Sequence, residues 1–483
     1  MVVSERMNPE EYDLIVIGTG SAMNIVDPMI RRNPDMRVAV IDKDEPGGIC
    51  LTRGCIPTKI LLYPAELLRD IERAGKFGIK AEINKVDFES IMERMRSLIY
   101  RDINMIKHGL SHSRNIDYYQ EIAEFVAPYT LKVGNKLIKS KMIFLCTGSK
   151  PYIPPIKGID KVPYLTSDDV IHMKKLPPSM VIVGGGYIAA EYGHFFSAMG
   201  SKVIIIGRNP QFLPQEEPEV SALAKRELSK HMKIITNHEV VEVQKALGGK
   251  KKVIAVDKAT GKKVAVSADE ILIAAGRAPN SDILHPEKAG IETYGPGWIK
   301  VNDYMETNVP GIWAFGDANG RYLFKHVANY ESKIVYYNAV LGQRVKMDYH
   351  AVPSAVFTYP EIASVGMKES EAIEKYGKDG ILIGFYKYEN TAKGEAIQAK
   401  DWFVKVILKS DDRKILGAHI IGPWASILIQ EIINLMYTKE QDPEPIYEGM
   451  HIHPSMSEVV ERAFFSLMPV EHYHHLLRHE GLE

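Results

Sequence analysis

The chain has 483 residues, enough for about three domains, and its apolar fraction of 45% is ordinary for a globular protein. Its 60 Lys and Arg residues nearly balance 61 Asp and Glu residues, so the formal net charge is -1. This balance argues against a general nucleic-acid or membrane-surface binder, which would carry a basic excess. No apolar run approaches the ~20 residues of a membrane span, and the N-terminus lacks a signal-peptide pattern, so we expect a cytoplasmic protein.

The first predicted elements are a strand, a glycine turn and a helix near the N-terminus. In "YDLIVIGTGSA" the apolar run 14–17 is typical of a buried parallel strand, and it leads into Gly18-x-Gly20. Small residues in such a turn let the backbone approach a pyrophosphate at a helix N-terminus. The next strand, in "RVAVID", ends at Asp42, whose carboxylate could hold ribose hydroxyls. The third glycine of the usual fingerprint is absent, because Met23 stands in its place.

A second and more complete nucleotide-binding pattern lies in "SMVIVGGGYIAAEYG". Here the strand 181–183 precedes Gly184-x-Gly186-x-x-Ala189, which fits the fingerprint fully. The following strand leads to Arg208, where a site for NADH would carry an acid. A guanidinium there favours a 2′-phosphate and hence NADPH, although NADH remains an alternative if Arg208 is only a solvated surface residue.

Two dinucleotide-binding patterns in one chain suggest a flavin next to a nicotinamide, an arrangement that passes hydride between carriers. In "GIWAFGDANG", Asp317 follows a strand end, where its carboxylate could accept a hydrogen bond from a flavin ribityl hydroxyl. The stretches "MIFLCTGSKPYIPP" and "EILIAAGRAPNSD" also run from strands into glycine turns. We therefore predict cofactor contacts at Gly18, Gly20, Ser21, Asp42, Gly48, Thr147, Gly148, Gly316, Asp317, Gly184, Gly186, Ala189, Arg208, Gly276 and Arg277.

Two of the three cysteines, Cys50 and Cys55, lie close together in "EPGGICLTRGCIPTKIL". On an ideal helix their Cα atoms would be separated by a rise of about 7.5 Å. A disulfide needs Cα atoms about 4.4–6.8 Å apart, so a bridge requires a distorted helix, for which Gly54 supplies backbone freedom. A helix start and a nearby histidine would lower a thiol pKa. Zinc is the poorer alternative because no second cysteine pair exists, and we predict no metal site.

A candidate acid–base pair occurs near the C-terminus in "HIHPSMSEVVERAFF". His453 precedes a proline, and Glu458 begins a predicted apolar-periodic helix five residues later. A carboxylate that accepts the imidazole N–H sets the tautomer and raises the basicity of the ring. His453 could instead be an ordinary loop histidine, and His451 could serve equally well. The histidine-rich end "EHYHHLLRHEGLE" is expected to be a frayed helix rather than a metal site.

Taken in this order, "GGICLTRGCIPTKIL", the two nucleotide-binding patterns, "GIWAFGDA" and "HPSMSE" resemble the class I pyridine nucleotide–disulfide oxidoreductase family over essentially the whole chain. That family includes dihydrolipoamide dehydrogenase, glutathione reductase and mycothione reductase. The stretches "IVIGTGSAMNIVD", "YLFKHVANYES" and "VPSAVFTYPEIASVG" are most similar to mycothione reductase. No extra cysteine pair occurs at either end, which disfavours mercuric reductase and high-molecular-weight thioredoxin reductase.

The resemblance implies a role for each matching residue. Cys50 would attack the substrate, and Cys55 would lie against the flavin as the charge-transfer thiolate. Lys59, paired with Glu191, would lie near the flavin N5, and Tyr187 would be an aromatic gate for the nicotinamide. His453 and Glu458 would form the acid–base pair, in this family reaching across a homodimer to the active site of the partner subunit.

The expected fold is α/β, with two Rossmann-like dinucleotide-binding domains and a C-terminal α+β dimerisation domain. We predict an FAD-binding domain at 1–150 and 279–347, an NAD(P)-binding domain at 151–278 and an interface domain at 348–483. The expected activity is NAD(P)H-dependent reduction of a small disulfide through FAD and a Cys50–Cys55 bridge. The alternatives are an NAD-linked dihydrolipoamide dehydrogenase acting on a lipoyl substrate, or a flavoprotein that passes electrons to a quinone, metal or oxygen and uses its thiols as a sensor.

Overall fold

The computed structural model describes residues 8–481, which form a mixed α/β fold. Its helices, in chain order, are α1 (Met23–Arg32), α2 (Gly48–Thr52), α3 (Cys55–Arg73), α4 (Phe88–His112), α5 (Ser167–Val170), α6 (Tyr187–Met199), α7 (Pro218–Leu228), α8 (Lys325–Val335), α9 (Glu369–Tyr376), α10 (Ala392–Ala396), α11 (Ala425–Met436), α12 (Glu444–Glu448), α13 (Glu458–Phe465) and α14 (Val470–Glu480). Across residues 8–481, no helix combines the length and apolarity that crossing a bilayer requires.

The first nucleotide-binding pattern lies in a parallel sheet. Across this sheet the strands run in the order Ile312–Ala314, Ile143–Leu145, Leu14–Ile17, Val38–Ile41 and Ile116–Tyr119. Alternate side chains of the central strand Leu14–Ile17 pack against α1 on one face and against a second sheet on the other. That second sheet consists of Glu10–Glu11, Lys136–Lys139, Thr130–Val133 and Ala123–Ala127. Burial on both faces explains the continuous apolar run, and the predicted buried strand is confirmed.

The second nucleotide-binding pattern has the same arrangement in another parallel sheet. Its strands run in the order Leu165–Thr166, Glu270–Ile273, Ser179–Val183, Lys202–Ile206 and Lys233–Ile235. One face of the strand Ser179–Val183 packs against α6, and the other faces an antiparallel sheet. The antiparallel sheet consists of His238–Lys245, Lys251–Asp257 and Lys263–Ala268. The two sheets thus place two glycine turns at the carboxyl ends of parallel strands, where ligands bind in such folds.

The C-terminal part of the chain is an antiparallel sheet covered by helices. Its strands run in the order Pro353–Val356, Ile362–Gly366, Ile415–Ile421, Phe403–Lys409, Ile381–Lys387 and Leu467–Pro469. The helices α11 and α13 contribute their buried faces to the core of this sheet. The predicted fold class, two α/β units followed by an α+β unit, is confirmed.

Two short ladders complete the strands: Ser149–Pro151 pairs with Arg277–Pro279, and Thr293–Tyr294 pairs with Trp298–Ile299.

The helix α14 corrects one expectation from the sequence. Its residues Val470, Tyr473 and Leu477 are buried, so the histidine-rich end is a docked helix rather than a frayed one. Their spacing places these three side chains on one helix face, which covers the antiparallel sheet.

Candidate active site

The two cysteines lie on consecutive helices that are separated by a break in the chain. Cys50 lies within α2, and Cys55 is the first residue of α3. Between them, Arg53 and Gly54 leave helical geometry. A Cβ at Gly54 would be 2.9 Å from the backbone oxygen of Ile49, so only glycine lets the two helices approach this closely. The predicted distortion is thus present, and both cysteines are thiols in this structure.

The two thiols hydrogen-bond to each other, and this contact gives them different acidities. The hydrogen bond from Cys50 lowers the pKa of Cys55 to about 7, and the Lys59 ammonium contributes to this lowering. The same hydrogen bond, together with burial, raises the pKa of Cys50. Cys55 is therefore the sulfur that ionises first. The side-chain cation that lowers the pKa of Cys55 is Lys59. The histidine expected from the sequence stays a prediction.

The predicted pair of Lys59 and Glu191 is present next to the cysteines. The Lys59 Nζ lies 2.8 Å from both carboxylate oxygens of Glu191. Glu191 also accepts a hydrogen bond from the backbone N–H of Phe357 at 3.1 Å, and the Lys59 Nζ lies 4.7 Å from the centroid of the Phe357 ring. These contacts hold the ammonium beside Cys55, where it stabilises a thiolate.

The first glycine turn is shaped to receive a dinucleotide backbone. Gly18 has φ +108°, and a Cβ there would lie 2.1 Å from the backbone oxygen of Cys146. A Cβ on Gly48 would lie 2.7 Å from the Cα of Gly20, so the start of α2 lies against the turn backbone to backbone. The absence of side chains at these positions leaves an open path along the turn, which fits a pyrophosphate.

Asp42 lies directly after the strand Val38–Ile41, as predicted, but much of its carboxylate is engaged by the protein. Its Oδ2 accepts hydrogen bonds from the backbone N–H of Thr19 at 2.9 Å and from the Thr19 hydroxyl at 2.5 Å. Its Oδ1 accepts one from the backbone of Asp44 at 3.1 Å. Burial raises the pKa of Asp42 despite these hydrogen bonds. Oδ1 still has capacity for one further donor, so a ribose hydroxyl can bind there.

Turns that follow other parallel strands contribute polar groups to a cavity that also contains the first glycine turn. The hydroxyl of Thr147 is buried without a hydrogen-bond partner, although Thr147 lines the cavity, which fits a polar ligand at this place. Asp317 accepts a hydrogen bond from the Ser149 hydroxyl at 2.5 Å, and burial raises its pKa. Arg277 donates to the hydroxyl and the backbone oxygen of Ser149 at 2.6 and 2.8 Å. Gly148, Gly276 and Gly316 have positive φ and form the turns themselves.

Several residues of this site were not predicted. The buried Glu331 accepts hydrogen bonds from the backbone of Gly316 at 2.6 Å and from the Tyr349 hydroxyl at 2.6 Å, which holds the turn before Asp317. The Lys325 Nζ lies 3.0 Å from the hydroxyl of Ser21. Glu331 and Lys325 both lie in "YLFKHVANYES", a stretch that is similar to mycothione reductase but contains no motif that marks a site residue.

The second glycine turn is equally open. Gly184 has φ +141°, and a Cβ there would lie 2.1 Å from the backbone oxygen of Ala274. Nothing lies near a Cβ at Gly186, and Ala189 is buried where α6 packs on its sheet. Arg208 is exposed at the end of the cavity, and its guanidinium has no ion-pair or hydrogen-bond partner among residues 8–481. Among the described residues, this leaves a cation without a protein partner in the lining of the cavity.

One cavity of about 900 Å³ connects both glycine turns and both cysteines. This volume lies near the upper end of the range for ligand pockets, and residues of both glycine turns line it. Tyr187, the first residue of α6, also lines this cavity. A shallower cavity of about 570 Å³ lies on the other side of Cys55 and is otherwise lined mostly by α3. The structure therefore places the redox pair between a nucleotide cavity and an outer depression.

The predicted acid–base pair forms but lies apart from the cysteines. Glu458 accepts a hydrogen bond from the Nδ1 of His453 at 2.9 Å and another from the backbone of Ser455 at 3.0 Å. The first of these holds the pKa of Glu458 below its usual range. The side chain of His453 is 72% exposed, and neither cavity includes it. His451 is instead held by Glu431 at 3.0 Å and is nearly buried.

Comparison with known proteins agrees with this architecture. Residues 12–332 match the family model "Pyridine nucleotide-disulphide oxidoreductase", and residues 352–464 match the dimerisation domain of the same family. Mycothione reductase from Mycobacterium tuberculosis (strain CDC 1551 / Oshkosh) is 34% identical over 473 residues, covering 95% of this chain and 100% of the relative. A dihydrolipoyl dehydrogenase from Synechocystis sp. is 32% identical over 476 residues, covering 94% and 98%.

The solved structures agree as well. The Cu(II) complex of the HOCl-induced flavoprotein disulfide reductase RclA from Escherichia coli superposes with a TM-score of 0.83 and 28% identity, covering 95% of this chain and 100% of that chain. Enzymes of this family use FAD together with a pyridine nucleotide, and the two glycine turns of this chain fit both. The chain therefore belongs to the pyridine nucleotide-disulphide oxidoreductase family, as an oxidoreductase of the flavoprotein disulfide reductase type with a C-terminal dimerisation domain.

Proposed function

We propose that this enzyme uses NADPH to reduce the disulfide of a low-molecular-weight thiol, as the name mycothione reductase says of its relative. The observation that carries the proposal is the pair Cys50 and Cys55, hydrogen-bonded to each other in the cavity that both nucleotide-binding turns line. A thiol pair in this position can accept electrons from one carrier and deliver them to a substrate disulfide.

Disulfide exchange then proceeds in two attacks. The imidazole of His453 accepts the proton of the Cys50 thiol as the Cys50 sulfur attacks one sulfur of the substrate, which forms a mixed disulfide and releases the first thiolate product. The Cys55 thiolate, stabilised by Lys59, attacks the Cys50 sulfur, which closes the Cys50–Cys55 bridge and releases the second. The His453 imidazolium, oriented by Glu458, donates the proton that a leaving thiolate needs.

FAD would be held by Gly18, Gly20, Asp42 and Asp317, and it would relay electrons between the nicotinamide and the sulfurs.

We also propose the domain division 1–150 with 279–347, 151–278 and 348–483. The ladder between Ser149–Pro151 and Arg277–Pro279 supports the two inner boundaries, since it lies where the chain enters and leaves the second parallel sheet.

The acid–base pair is proposed to act on the partner subunit of a homodimer. His453 lines neither cavity of its own chain, yet its hydrogen bond to Glu458 leaves Nε2 free to face outward. Large apolar side chains are exposed around it, namely Met450, Ile452 and Phe465, and along α3, namely Ile56, Tyr63, Leu67 and Ile71. Exposed apolar patches of this kind mark association surfaces.

The preference for NADPH is proposed from Arg208 and gives a first prediction. Because its guanidinium is unpaired at the end of the cavity, Arg208→Gln should lower kcat/KM for NADPH about tenfold or more, the value of a hydrogen bond between charged groups. The value for NADH should change less than about twofold. Steady-state kinetics with both coenzymes measures this. Equal losses for NADPH and NADH would contradict the assignment of Arg208 to the 2′-phosphate.

The substrate class is tested by steady-state assays with mycothione, glutathione disulfide and lipoamide, each with both coenzymes. The proposal expects the highest kcat/KM for a small non-lipoyl disulfide with NADPH. Because the chain is 32% identical to a dihydrolipoyl dehydrogenase, dihydrolipoamide oxidation is the alternative function. In that case lipoamide and NAD⁺ would be the preferred pair. If Cys50→Ala retained turnover with a quinone, a metal ion or oxygen as the preferred acceptor, disulfide reduction would not be the function.

A further inference from the structure

The hydroxyl of Tyr187 is held by a buried carboxylate. Tyr187 follows the second glycine turn directly, and its ring lies nearly parallel to that of Phe324, with 6.2 Å between ring centroids and 19° between planes. The Tyr187 hydroxyl donates to Glu216 Oε1 at 2.9 Å and lies 3.5 Å from the hydroxyl of Ser354. Burial and the charge of Glu216 raise the pKa of Tyr187, so it remains a donor. The Tyr187–Phe324 pair thus lines the cavity that includes both nucleotide-binding turns.

Few hydrogen bonds stabilise the buried carboxylate of Glu216. It is 2% exposed, and within residues 8–481 no Lys, Arg or His forms an ion pair with it. Its Oε1 accepts from Tyr187, and its Oε2 accepts from the hydroxyl of Ser364. Because a buried carboxylate gains most of its stabilisation from such donors, the hydrogen bond to Tyr187 is a strong one.

The segment that carries Glu216 is fixed on both sides. The backbone N–H of Leu213 donates to the oxygen of Gly185 at 2.8 Å, which ties the segment to the glycine turn. The neighbouring Glu217 lies 3.1 Å from the Nζ of Lys405, which is completely buried, and accepts from the backbone of Glu369 at 2.5 Å. Glu216 is therefore a stationary acceptor that cannot follow Tyr187 when the ring moves.

We propose that Glu216, supported by Ser364, is a positioning residue that holds the Tyr187 side chain in the closed position across the cavity. This inference rests on the proposed function and on the family resemblance, which implies that the Tyr187 ring moves aside for the nicotinamide. Entry of the nicotinamide then requires the hydrogen bond between Tyr187 and Glu216 to break. The free energy needed to break this hydrogen bond reduces the observed affinity for the coenzyme. Weakening the hydrogen bond should therefore tighten coenzyme binding.

The test measures binding of NADP⁺ and NAD⁺ to the oxidised holoenzyme by calorimetry, without turnover. Glu216→Gln keeps the size of the side chain but loses its charge, and Tyr187→Phe keeps the ring but loses the hydroxyl. Each should tighten binding of the preferred coenzyme about fivefold to tenfold, because one charge-assisted hydrogen bond no longer opposes opening. The double variant should gain no more than either single variant, since both remove the same interaction. Ser364→Ala should give a smaller gain in the same direction.

Glu227→Gln is the matched control, because Glu227 lies on the neighbouring helix α7 and pairs only with surface cations. It should leave the dissociation constant unchanged. The proposal is overturned if Glu216→Gln and Tyr187→Phe, with unchanged flavin content and melting temperature, bind the coenzyme equally or more weakly. Additive effects in the double variant would overturn it as well. If Glu216→Gln does not fold, Tyr187→Phe and Ser364→Ala decide the result.

The outcomes also separate this inference from the proposed function. A wild type that reduces disulfides with NADPH while both variants bind normally overturns the role of Glu216 alone. A wild type that binds neither coenzyme overturns both. In stopped-flow measurements, the variants should also show faster reduction of the flavin at coenzyme concentrations below saturation, with little change at saturation.

Discussion

Cys55 combines three features that each favour a thiolate at neutral pH. It begins α3, where the unpaired backbone N–H groups carry partial positive charge. It accepts a hydrogen bond from Cys50, and Lys59 lies close enough to lower its pKa further. Burial opposes ionisation but does not cancel these effects, and the pKa is lowered from an ordinary 9.0 to about 7. The reduced enzyme should therefore carry a thiolate on Cys55 under physiological conditions.

This predicts a pH dependence for the reduced enzyme. A group with a pKa of about 7 is roughly one-tenth ionised at pH 6 and roughly nine-tenths ionised at pH 8. The long-wavelength absorbance that a thiolate gives beside a flavin should rise between these values in two-electron-reduced enzyme. Lys59→Met removes a stabilising cation, so the midpoint of the titration should shift to higher pH. Spectrophotometric titration measures both midpoints.

Two further variants serve as controls for that titration. Lys59→Arg keeps a cation next to Glu191 and should shift the midpoint less than Lys59→Met. Cys55→Ser should abolish the band, whereas a band unchanged in that variant would show that Cys55 is not the thiolate next to the flavin.

The relation between α2 and α3 determines whether the two sulfurs can meet. Five residues of continuous helix would place the Cα atoms too far apart along the axis for a disulfide. The break at Arg53 and Gly54 turns the chain so that Cys50 and Cys55 form a hydrogen bond. This geometry depends on the missing side chain of Gly54, because any Cβ would press on the backbone of Ile49.

Gly54→Ala should therefore separate the two helices. A Cβ 2.9 Å from the oxygen of Ile49 forces a backbone shift, which should cost about 1–3 kcal/mol and weaken contact between the thiols. Thermal unfolding of the holoenzyme and the rate of oxidation of the dithiol measure the two effects. Gly109→Ala in α4 is the matched control, because nothing lies within 4 Å of a Cβ there. It should be neutral or slightly stabilising, and equal losses in both variants would contradict the argument.

At the scale of elements, the strands were the most predictable part of the fold. The run 14–17 coincides with the observed strand Leu14–Ile17, since a strand buried on both faces has to be apolar throughout. The predicted helix at Glu458 begins at that residue, as α13. The end of the chain was less predictable, because Tyr473 is buried by strands that are distant in sequence. A local pattern predicts an element well when both of its faces are apolar, as in the strand Leu14–Ile17. It predicts an element poorly when residues distant in sequence bury it, as they do α14.

At the scale of the whole molecule, the two groups proposed to form the active site lie in different places. The cysteines lie beside the nucleotide cavity, whereas His453 points outward from the antiparallel sheet region. The match of residues 352–464 to a dimerisation domain gives a reason for this separation. In a symmetric dimer, each histidine can face the cysteines of the other subunit.

Hybrid dimers test this arrangement directly. One chain carries Cys50→Ser with Cys55→Ser, and the other carries His453→Ala. Each parental dimer should be nearly inactive, but a random mixture should recover about a quarter of wild-type activity, because hybrid dimers have one native site. Disulfide-reduction assays on refolded or coexpressed mixtures, with dimers confirmed by sedimentation, measure the recovery. No recovery above the parental values would place His453 in the same chain as the cysteines it serves.

The sequence by itself determined the parts of this protein that follow from local chemistry. These are two strand–glycine turn–helix patterns, the Cys50–Cys55 spacing with its glycine, and the pairing of His453 with Glu458 five residues later. Tertiary structure alone decided which of these groups meet, and by which partners they are held. The contacts of Glu331 with Gly316 and of Glu216 with Tyr187 join residues that no local pattern connects. Buried polar groups take their partners from whichever element the fold brings near, so packing rather than sequence spacing selects them.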